Sequence, residues 1–561
     1  MKNLRLRSWG ALIAGVMLIA LALVLAACGS SSSSSSSSAT SAGTPKPGGT
    51  YNFPLQAEPV NIEPLNAQES EGVQVAHEIF WGLVRYQKQP DGSVGIVPAG
   101  ALSWTVNSNA TVFTFKLNPA VTFGPPVNRA VTAADYVYSW NRATNPANAS
   151  VVSYILSPIV GSDNSGYAKN GLTGVKALDT DTLQVTLRYP FAEFPMTLGH
   201  TVAAPVPKEY IQAHGKTLAA QNQYFDNHPV GDGPYMLQSW VHNSKIILVK
   251  NPTFWDKSNQ PYIDTINMPI YQGESGSSTE WLDFQSGKLD YSMVPPGSVA
   301  SSQKAANASG GKWTAKKYPS LAVYFVGINQ KSPVVGGASK LPLRQALYYS
   351  TNAQAIINVV NEGVGLPATG YVPLGIPGYV PNQSPYSYDV AKAQALMKQI
   401  GTVPTLTYWY NTDPGHEKIA EALQAGWQAV GVKMNLQNYE WGTFLSKLQG
   451  GTQQLFRMGW IADYPSMDDF LYPLFQSQQA RTGSYTFYDN PKFDALLQQA
   501  RSTLDDTQRH QLYAQAEKMA LTDIPAIPLY YYQDYRVTNN RIGGFDFNAM
   551  GFCDMWKLWV K

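Results

Sequence analysis

Residues 406–436 read LTYWYNTDPGHEKIAEALQAGWQAVGVKMNL, and this stretch predicts a strand, a helix and a second strand. Residues 406–410 are almost all apolar or aromatic, as in a buried strand. The middle of the stretch repeats apolar residues at the spacing of one helical face: Ile419, Leu423 and Trp427. Gly431 ends the helix, and apolar and polar residues alternate over 432–436. Two strands joined by a helix form a βαβ unit, so we expect a parallel sheet here.

Similar patterns extend to the rest of the chain. Apolar and polar residues alternate over 111–117 and 183–188, which predicts two half-buried strands. Between them, Thr132 and Asp135 have the spacing of a capping box, which predicts the start of a helix. Strands and helices are therefore mixed along the chain, and the patterns alone indicate an α/β fold.

The C-terminal part continues this mixture. Asn490-Pro491 combines an N-cap residue with proline at the first helical position, which predicts a helix, and another is expected over 512–519. Pro525 and Pro528 interrupt the chain, so the aromatic stretch 529–532 is expected to begin a strand after the second proline.

The first 27 residues predict export from the cytoplasm. Three cations precede an apolar run over 9–25, and small residues then lead to Cys28. This is the arrangement of a secretory signal peptide over 1–27. The cysteine resembles that of the lipobox in bacterial lipoproteins, and the resemblance implies that Cys28 is lipidated. The serine-rich residues 28–49 would then form a flexible linker. An uncleaved transmembrane anchor is the alternative, because the apolar run is nearly long enough to span a bilayer.

The composition excludes several classes of protein. The whole chain has 40 Lys and Arg against 38 Asp and Glu, and three of the cations lie in the leader, so no basic surface argues for nucleic acid. The length predicts two or three domains. Aromatic residues make up 12% of the chain, which suits the walls of a ligand site as well as ordinary cores. Cys553 is the second of only two cysteines, so no disulfide remains if Cys28 is lipidated.

Motifs of catalysis and metal binding are missing from the sequence. The seven histidines have no metal-ligand spacing, and HExxH, CxxC and G-x-S-x-G do not occur. Asp468-Asp469 and Asp505-Asp506 are adjacent pairs, and neighbours in sequence do not face each other on a helix. We interpret each pair as a helix start or a solvated face, and predict a protein that is not an enzyme and has neither metal nor cofactor.

Seven segments stand out in order along the chain: Glu78–Val84, Thr114–Arg142, Pro229–Trp240, Asn251–Trp255, Phe284–Asp290, Leu343–Ser350 and Gly459–Tyr464. Together they resemble the family 5 extracytoplasmic solute-binding proteins, which are the oligopeptide- and dipeptide-binding receptors of ABC importers. The chain departs from the family pattern at Phe123–Pro126 and at Asp232, which stands where the family has threonine. These two loops look structural, so the departures bear little on function.

The resemblance implies a type II periplasmic-binding fold of three lobes, with a ligand cleft between lobes I and III that closes by hinge motion. By position, lobe I would comprise 50–72, 200–325 and 529–561. Lobe II would comprise 73–199, and lobe III 326–528.

The segment from Arg457 to Tyr464 carries the expected ligand contacts. The resemblance implies that Asp463 pairs with a peptide's α-ammonium and that Arg457 takes a short peptide's carboxylate, and both pairings are physically sound. The alternatives are that Asp463 is a turn residue and Arg457 a partner in a salt bridge within its lobe. Trp460 would form a wall of the cleft, although a packed tryptophan would look the same.

Backbone contacts are expected as well. Gly459 and Ile461 lie at alternate positions, so on an extended strand their backbone groups point the same way and could bind a peptide as an added strand. Tyr464 belongs to the same segment. Glu58 is a further candidate at the rim of the cleft.

The resemblance therefore implies a non-catalytic, monomeric, lipid-anchored receptor on the outer face of the cytoplasmic membrane. It would bind short peptides and deliver them to an ABC permease, without contact to nucleic acid. The alternatives are another solute in the same cleft (an oligosaccharide, a metal chelate, or another small cationic or amphipathic ligand), a peptide sensor and, as the weakest, a surface hydrolase.

Overall fold

Mixed strands and helices make up the part of the chain that the computed structural model describes, which is residues 45–272, 276–295, 297–481 and 483–561 without the side chain of Pro414. The strands in chain order are β1 (Thr50–Asn52), β2 (Val84–Lys88), β3 (Val94–Pro98), β4 (Ala101–Val106), β5 (Val112–Leu117), β6 (Val175–Asp179), β7 (Thr182–Thr186), β8 (Tyr235–Val241), β9 (Lys245–Lys250), β10 (Thr265–Pro269), β11 (Tyr291–Met293), β12 (Trp313–Ile328), β13 (Leu366–Pro367), β14 (Leu406–Asn411), β15 (Met434–Tyr439), β16 (Leu455–Ile461), β17 (Ala526–Asn539), β18 (Ile542–Gly543) and β19 (Trp559–Val560).

The helices connect and cover these strands. In chain order they are α1 (Ser70–Ile79), α2 (Ala133–Thr144), α3 (Phe194–Thr197), α4 (Lys208–Ala213), α5 (Leu218–Asn227), α6 (Gly276–Gln285), α7 (Val299–Ala308), α8 (Leu341–Tyr349), α9 (Ala353–Val359), α10 (Val390–Ile400), α11 (Pro414–Gln428), α12 (Trp441–Gln449), α13 (Met467–Phe475), α14 (Pro491–Ser502) and α15 (Asp506–Asp523). None of the helices in the described ranges is long and apolar enough to cross a membrane.

Three larger sheets organise the fold. The first has the strand order β1-β10-β9-β8, and the second has the order β4-β5-β7-β6. The largest has the order β11-β17-β12-β16-β14-β15, with β13 beside β17. This mixture of sheets and helices confirms the expected α/β class.

The predicted βαβ unit is confirmed. β14 and β15 pair in parallel from Leu406↔Met434 to Asn411↔Tyr439, and α11 connects them. The apolar face of α11 is buried, and the Trp427 indole N–H donates to the Leu347 carbonyl at 3.1 Å. The helix begins where the Asp413 side chain accepts from two backbone N–H groups, so the local pattern and the packing agree.

The other patterns agree with the structure at most positions. β5 and β7 pair with their apolar residues buried, and the Asp135 carboxylate accepts from the Thr132 backbone N–H at 2.8 Å to begin α2. α14 begins at Asn490, whose side chain caps it, and α15 covers the other predicted helix.

One expectation is wrong. The aromatic strand β17 begins at Ala526, before Pro528, and the proline is accommodated because the pairing with β12 is irregular between Tyr324 and Phe325. The helix start expected at Asp468 and Asp469 is confirmed, and both side chains are buried, so the alternative of a solvated face does not apply to this pair.

β12 and β17 are the longest strands described, and they pair along most of their length. The lobe boundaries expected at 325/326 and 528/529 fall inside these two strands, which continue through them without a break. The division into three lobes therefore stays a prediction, with β12 and β17 as the connection between lobes I and III. The predicted signal peptide and Cys28 lie outside the described residues.

Asp232, a position at which the chain departs from the family pattern, is buried and structural. Asp232 has no exposed surface, and its Oδ1 accepts from the Trp81 backbone N–H at 2.8 Å. Its Oδ2 has no hydrogen-bond partner within the described ranges. Burial raises the pKa of Asp232 to about 8, so this carboxyl carries a proton in the folded protein at neutral pH.

Candidate ligand-binding cleft

The strand β16 presents one free edge to a group of cavities. Along one side it pairs with β12 from Leu455 to Ile461, and along the other it pairs with β14 only at Leu455 and Phe456. The Ala462 N–H donates to the Leu321 carbonyl of β12 at 2.8 Å. Because backbone groups alternate along a strand, those of Gly459 and Ile461 point away from β12. The expectation that these two residues aim their backbone in one direction agrees with this register.

Asp463 follows directly at the end of this edge. Its side chain is half-buried, and Oδ1 accepts from the Tyr154 hydroxyl at 3.2 Å. No Lys, Arg or His side chain forms an ion pair with it in the described part of the chain. Burial raises the pKa of Asp463 to about 6, against a smaller lowering by the hydrogen bond from Tyr154. The carboxylate is therefore an acceptor that lacks a cation.

A second acid, Asp469, holds the Asp463 segment in place. Its Oδ2 accepts from the Asp463 backbone N–H at 2.9 Å and from the Trp460 indole N–H at 3.1 Å. Asp469 is 1% exposed, and burial followed by repulsion from Asp463 raises its pKa well above the ordinary value. These hydrogen bonds fix the orientation of both Trp460 and Asp463.

Tyr464 is positioned by the next turn of the chain. Its hydroxyl donates to Asp468 Oδ2 at 2.9 Å, and its ring meets that of Phe191 edge to face. Asp468 also forms an ion pair with Arg501, at 3.3 Å. The buried pair Asp468–Arg501 thus supports the wall that Tyr464 contributes.

Three adjoining cavities surround Asp463 and Ile461. Cavity A, of about 240 Å³, is lined by Asp463, Tyr154 and Ile461 among others. Cavity B, of about 230 Å³, shares Asp463 and Tyr154 with cavity A and adds Trp460, Tyr464 and Asp469. Cavity C, of about 320 Å³, meets cavity A at Ile461, whose side chain is 71% exposed. Together they form a cleft that begins at an unpaired carboxylate and adjoins a free strand edge.

Arg457 lies at the other end of the edge and lines none of these three cavities. Its guanidinium stands 5.0 Å from the Tyr324 ring centre, and it donates to Asn411 Oδ1 at 3.3 Å and to the Tyr532 hydroxyl at 3.5 Å. In the described ranges it has no carboxylate partner, and its buried Nε has no acceptor. The structure therefore does not show the salt bridge that was the alternative for Arg457.

Glu58 is placed away from these cavities. Its carboxylate accepts from the Trp240 indole at 3.0 Å, from the Asn243 backbone N–H at 2.8 Å, and pairs with His242 at 2.7 Å. These contacts fasten the β8–β9 hairpin. Glu58 is not brought together with the residues of β16, and its role at the rim stays a prediction.

Sequence reasoning missed two residues of this site. Tyr154 meets Asp463 across 309 positions of sequence, and a tyrosine in a turn-rich segment has no local signal for such a contact. Asp469 was interpreted as part of a helix start or a solvated face, and its hydrogen bonds to Trp460 and Asp463 were not expected. In the described residues no cluster of three or more His, Cys, Asp or Glu side chains fits a metal ion.

Comparison with known proteins points to one family. Residues 95–482 match the family described as "Bacterial extracellular solute-binding proteins, family 5 Middle". The chain is 32% identical over 506 residues to the periplasmic oligopeptide-binding protein OppA of Salmonella typhimurium, covering 86% of this chain and 88% of that protein. It is 29% identical over 512 residues to the oligopeptide-binding protein OppA of Bacillus subtilis, covering 88% and 90%. Among solved structures, HbpA2 from Haemophilus parasuis has the same fold, with a TM-score of 0.78, 24% identity and coverage of 91% of this chain and all (100%) of that chain.

Proposed function

Since the chain belongs to the family 5 bacterial extracellular solute-binding proteins, we propose that it is a non-catalytic receptor that captures short peptides in the cleft at Asp463 and delivers them to an ABC-type permease. The observation that carries the proposal is a half-buried carboxylate without a cation, placed at the end of a free strand edge. A peptide offers an ammonium for the first and backbone groups for the second.

The N-terminal ammonium of the peptide would bind directly to the Asp463 carboxylate. An ammonium in cavity A can donate to the Asp463 carboxylate and to the Tyr154 oxygen, both of which line that cavity. A charge-assisted hydrogen bond in a site of low water content is stronger than one between neutral groups. The aromatic side chains of Trp460 and Tyr464 in cavity B then offer an apolar wall to the first side chains of the ligand.

The backbone of the peptide would pair with β16. The groups of Gly459 and Ile461 that point away from β12 can bond an extended peptide as an added strand, which gives affinity without reading side chains. This mode suits a receptor for peptides of varied sequence.

Arg457 would receive the carboxylate of short peptides that are longer than a dipeptide. The stretch of β16 from Arg457 to Ile461 alone spans about 13 Å at the rise of a strand, and Asp463 follows two residues later. A dipeptide spans only about 7 Å, so a ligand that reaches both groups is longer than a dipeptide. The unpaired buried guanidinium supports this role, because a carboxylate would supply the partner that it lacks.

The remaining parts of the proposal concern the place of the receptor. Residues 1–27 would direct export, lipidated Cys28 would tether the chain to the outer face of the cytoplasmic membrane, and the linker 28–49 would leave the receptor free to close and to meet its permease. The receptor would act as a monomer of three lobes, and nucleic acid is no partner. Cys28→Ser tests the tether: the variant should leave the membrane fraction for the medium, and retention in the membrane would contradict lipidation.

Native mass spectrometry of the full chain with a pool of unmodified tri- to hexapeptides tests the function. We expect bound peptides, and calorimetry with the selected peptide should show that Asp463→Ala loses about 2–5 kcal/mol of binding, which is a factor of about 30 or more. Asp91→Ala is the matched control, because Asp91 is exposed in the β2–β3 turn outside the cleft. Unchanged affinity in the Asp463 variant would exclude ammonium capture there. Binding of oligosaccharides or bile-type amphiphiles in place of peptides would instead favour another solute.

A further inference from the structure

Asp463 and Asp469 form a pair of neighbouring acids, of which Asp469 is buried and Asp463 is half-buried. They are linked through the Asp463 backbone N–H, which donates to Asp469 Oδ2 at 2.9 Å. Asp469 lines cavity B and Asp463 lines cavities A and B, so both acids border the space that a ligand would fill. In the described part of the chain, neither forms an ion pair with a Lys, Arg or His side chain.

The helix that carries Asp469 adds no free cation. Asp468 precedes Asp469, and its charge is already matched by Arg501 at 3.3 Å. The Tyr464 hydroxyl donates to Asp468. Arg188 also lines cavity B, but its guanidinium is exposed and bonds to the neutral Asn164 side chain at 3.0 Å.

Apart from the exposed Arg188, the described segments that face the pair from the other side add no free cation. The Tyr154 hydroxyl donates to Asp463, and the Tyr86 hydroxyl lies 3.5 Å from the Asp463 carbonyl oxygen. His77 lines cavity A but is paired with Asp554 at 3.0 Å. His200 lines it too, and burial lowers the pKa of His200 to about 4, so this ring is neutral at physiological pH.

A buried carboxyl beside a half-buried one, with no counter-ion, does not ionise together with it, because the buried charge loses its water and the two charges repel each other. We propose that Asp469 keeps its proton and serves as a positioning residue for Asp463 and Trp460, and that an ammonium ligand displaces a proton from Asp463 in weakly acidic solution. This inference rests on the proposed function, since it requires a cationic group at Asp463.

The order of ionisation follows from the surroundings of the two acids. Burial raises the pKa of Asp463 to about 6, and the pKa of Asp469 is raised well above its ordinary value by burial and then by the charge on Asp463. Asp463 therefore ionises first. On binding, its O–H bond breaks, the proton passes to solvent, and an N–H of the ammonium donates to the carboxylate that remains.

The sign of the pH dependence is fixed by this exchange. Below about pH 6 the ligand must displace a proton, so its dissociation constant should rise about tenfold for each unit by which the pH falls. Above that value the affinity should be level until the peptide's own ammonium titrates near pH 8. A receptor of this kind binds its ligand less tightly as its surroundings become acidic.

Calorimetry of the full chain in detergent tests the exchange, with the unmodified peptide that mass spectrometry selects. Repeating the titration in buffers of different ionisation enthalpy should show release of more than half a proton at pH 5.5, and a small net uptake at pH 7.5, where part of the peptide's own ammonium is deprotonated and must regain its proton. Asp463→Asn should abolish the release. If no peptide binds at pH 7.5, the proposed function fails; if peptide binds but the enthalpy at pH 5.5 does not depend on the buffer, only the inference fails.

Variants of Asp469 test the positioning role. Asp469→Ala removes the acceptor for both N–H groups, and we expect peptide affinity at pH 7.5 to fall at least tenfold. Asp469→Asn copies the protonated acid, so it should recover most of that loss and keep the pH midpoint near that of the wild-type protein. A midpoint moved toward acid by one pH unit or more in the asparagine variant would show that Asp469 is ionised in the empty cleft and would overturn the assignment.

Discussion

Asp232→Asn should make the free energy of unfolding less dependent on pH. Asp232 is fully buried, its Oδ1 accepts one backbone hydrogen bond, and its Oδ2 has no partner in the described ranges. No cation pairs with it there. The folded protein therefore holds this carboxyl protonated, with a pKa of about 8.

The magnitude follows from the two pKa values. An aspartate in the unfolded chain titrates near pH 3.9. Between that value and about pH 8 the unfolded state has released a proton that the folded state retains, so the free energy of unfolding falls as the pH rises. One pH unit corresponds to about 1.4 kcal/mol, so the full span of about 4 pH units is about 6 kcal/mol. An asparagine has no proton to release, so the variant should lack this slope.

Urea unfolding at pH 5, 6, 7 and 8, followed by tryptophan fluorescence, measures the effect. The stability of Asp232→Asn relative to the wild-type protein should increase with each step in pH, while the exposed control Asp91→Asn should follow the wild type. A stability difference that stays constant from pH 5 to pH 8 would refute the argument, because it would mean that Asp232 does not change its protonation on unfolding.

Three further variants test the contacts of the cleft. Tyr154→Phe should weaken peptide binding by about 1 kcal/mol, a factor of about five, and move the pH midpoint upward, because the hydrogen bond that lowers the pKa of Asp463 is lost; calorimetry showing no change would contradict this. Arg457→Gln should weaken unmodified peptides more than their C-terminal amides, and equal losses for both would remove the carboxylate role. Glu58→Ala should lower the melting temperature, because three hydrogen bonds to the β8–β9 hairpin are lost, and leave peptide affinity unchanged; a loss of affinity would place Glu58 in the cleft after all.

The elements that were predictable from sequence are those whose signal is local. The spacing of Ile419, Leu423 and Trp427 indicates the helix of the βαβ unit around α11. Thr132 and Asp135 indicate the start of α2. Neither depends on distant contacts. The start of β17 was missed because only its partner β12 shows where the pairing becomes irregular and admits a proline.

The residues of the site also divide into those that a local segment indicates and those that depend on distant contacts. Asp463 and Trp460 were identified because they belong to a short segment that resembles the family, and their backbone register follows from alternation along one strand. Tyr154 and the buried state of Asp469 depend on packing between segments far apart in the chain, which periodicity does not encode. Glu58 has contacts that the sequence did not indicate, because its partners lie in a hairpin 182 to 185 positions away, and its place at the rim stays a prediction.

The free edge of β16 also bears on the solubility of the protein. An unpaired strand edge can pair with the same edge of another molecule and so begin aggregation. Here the open part runs only from Arg457 to Ile461, and Trp460 and Ile461 at its end line the cavities of the cleft. The residues across cavity A, among them Tyr154, limit how closely a second large chain can approach. The shortness of this open edge therefore admits a short strand and limits pairing between copies of the receptor.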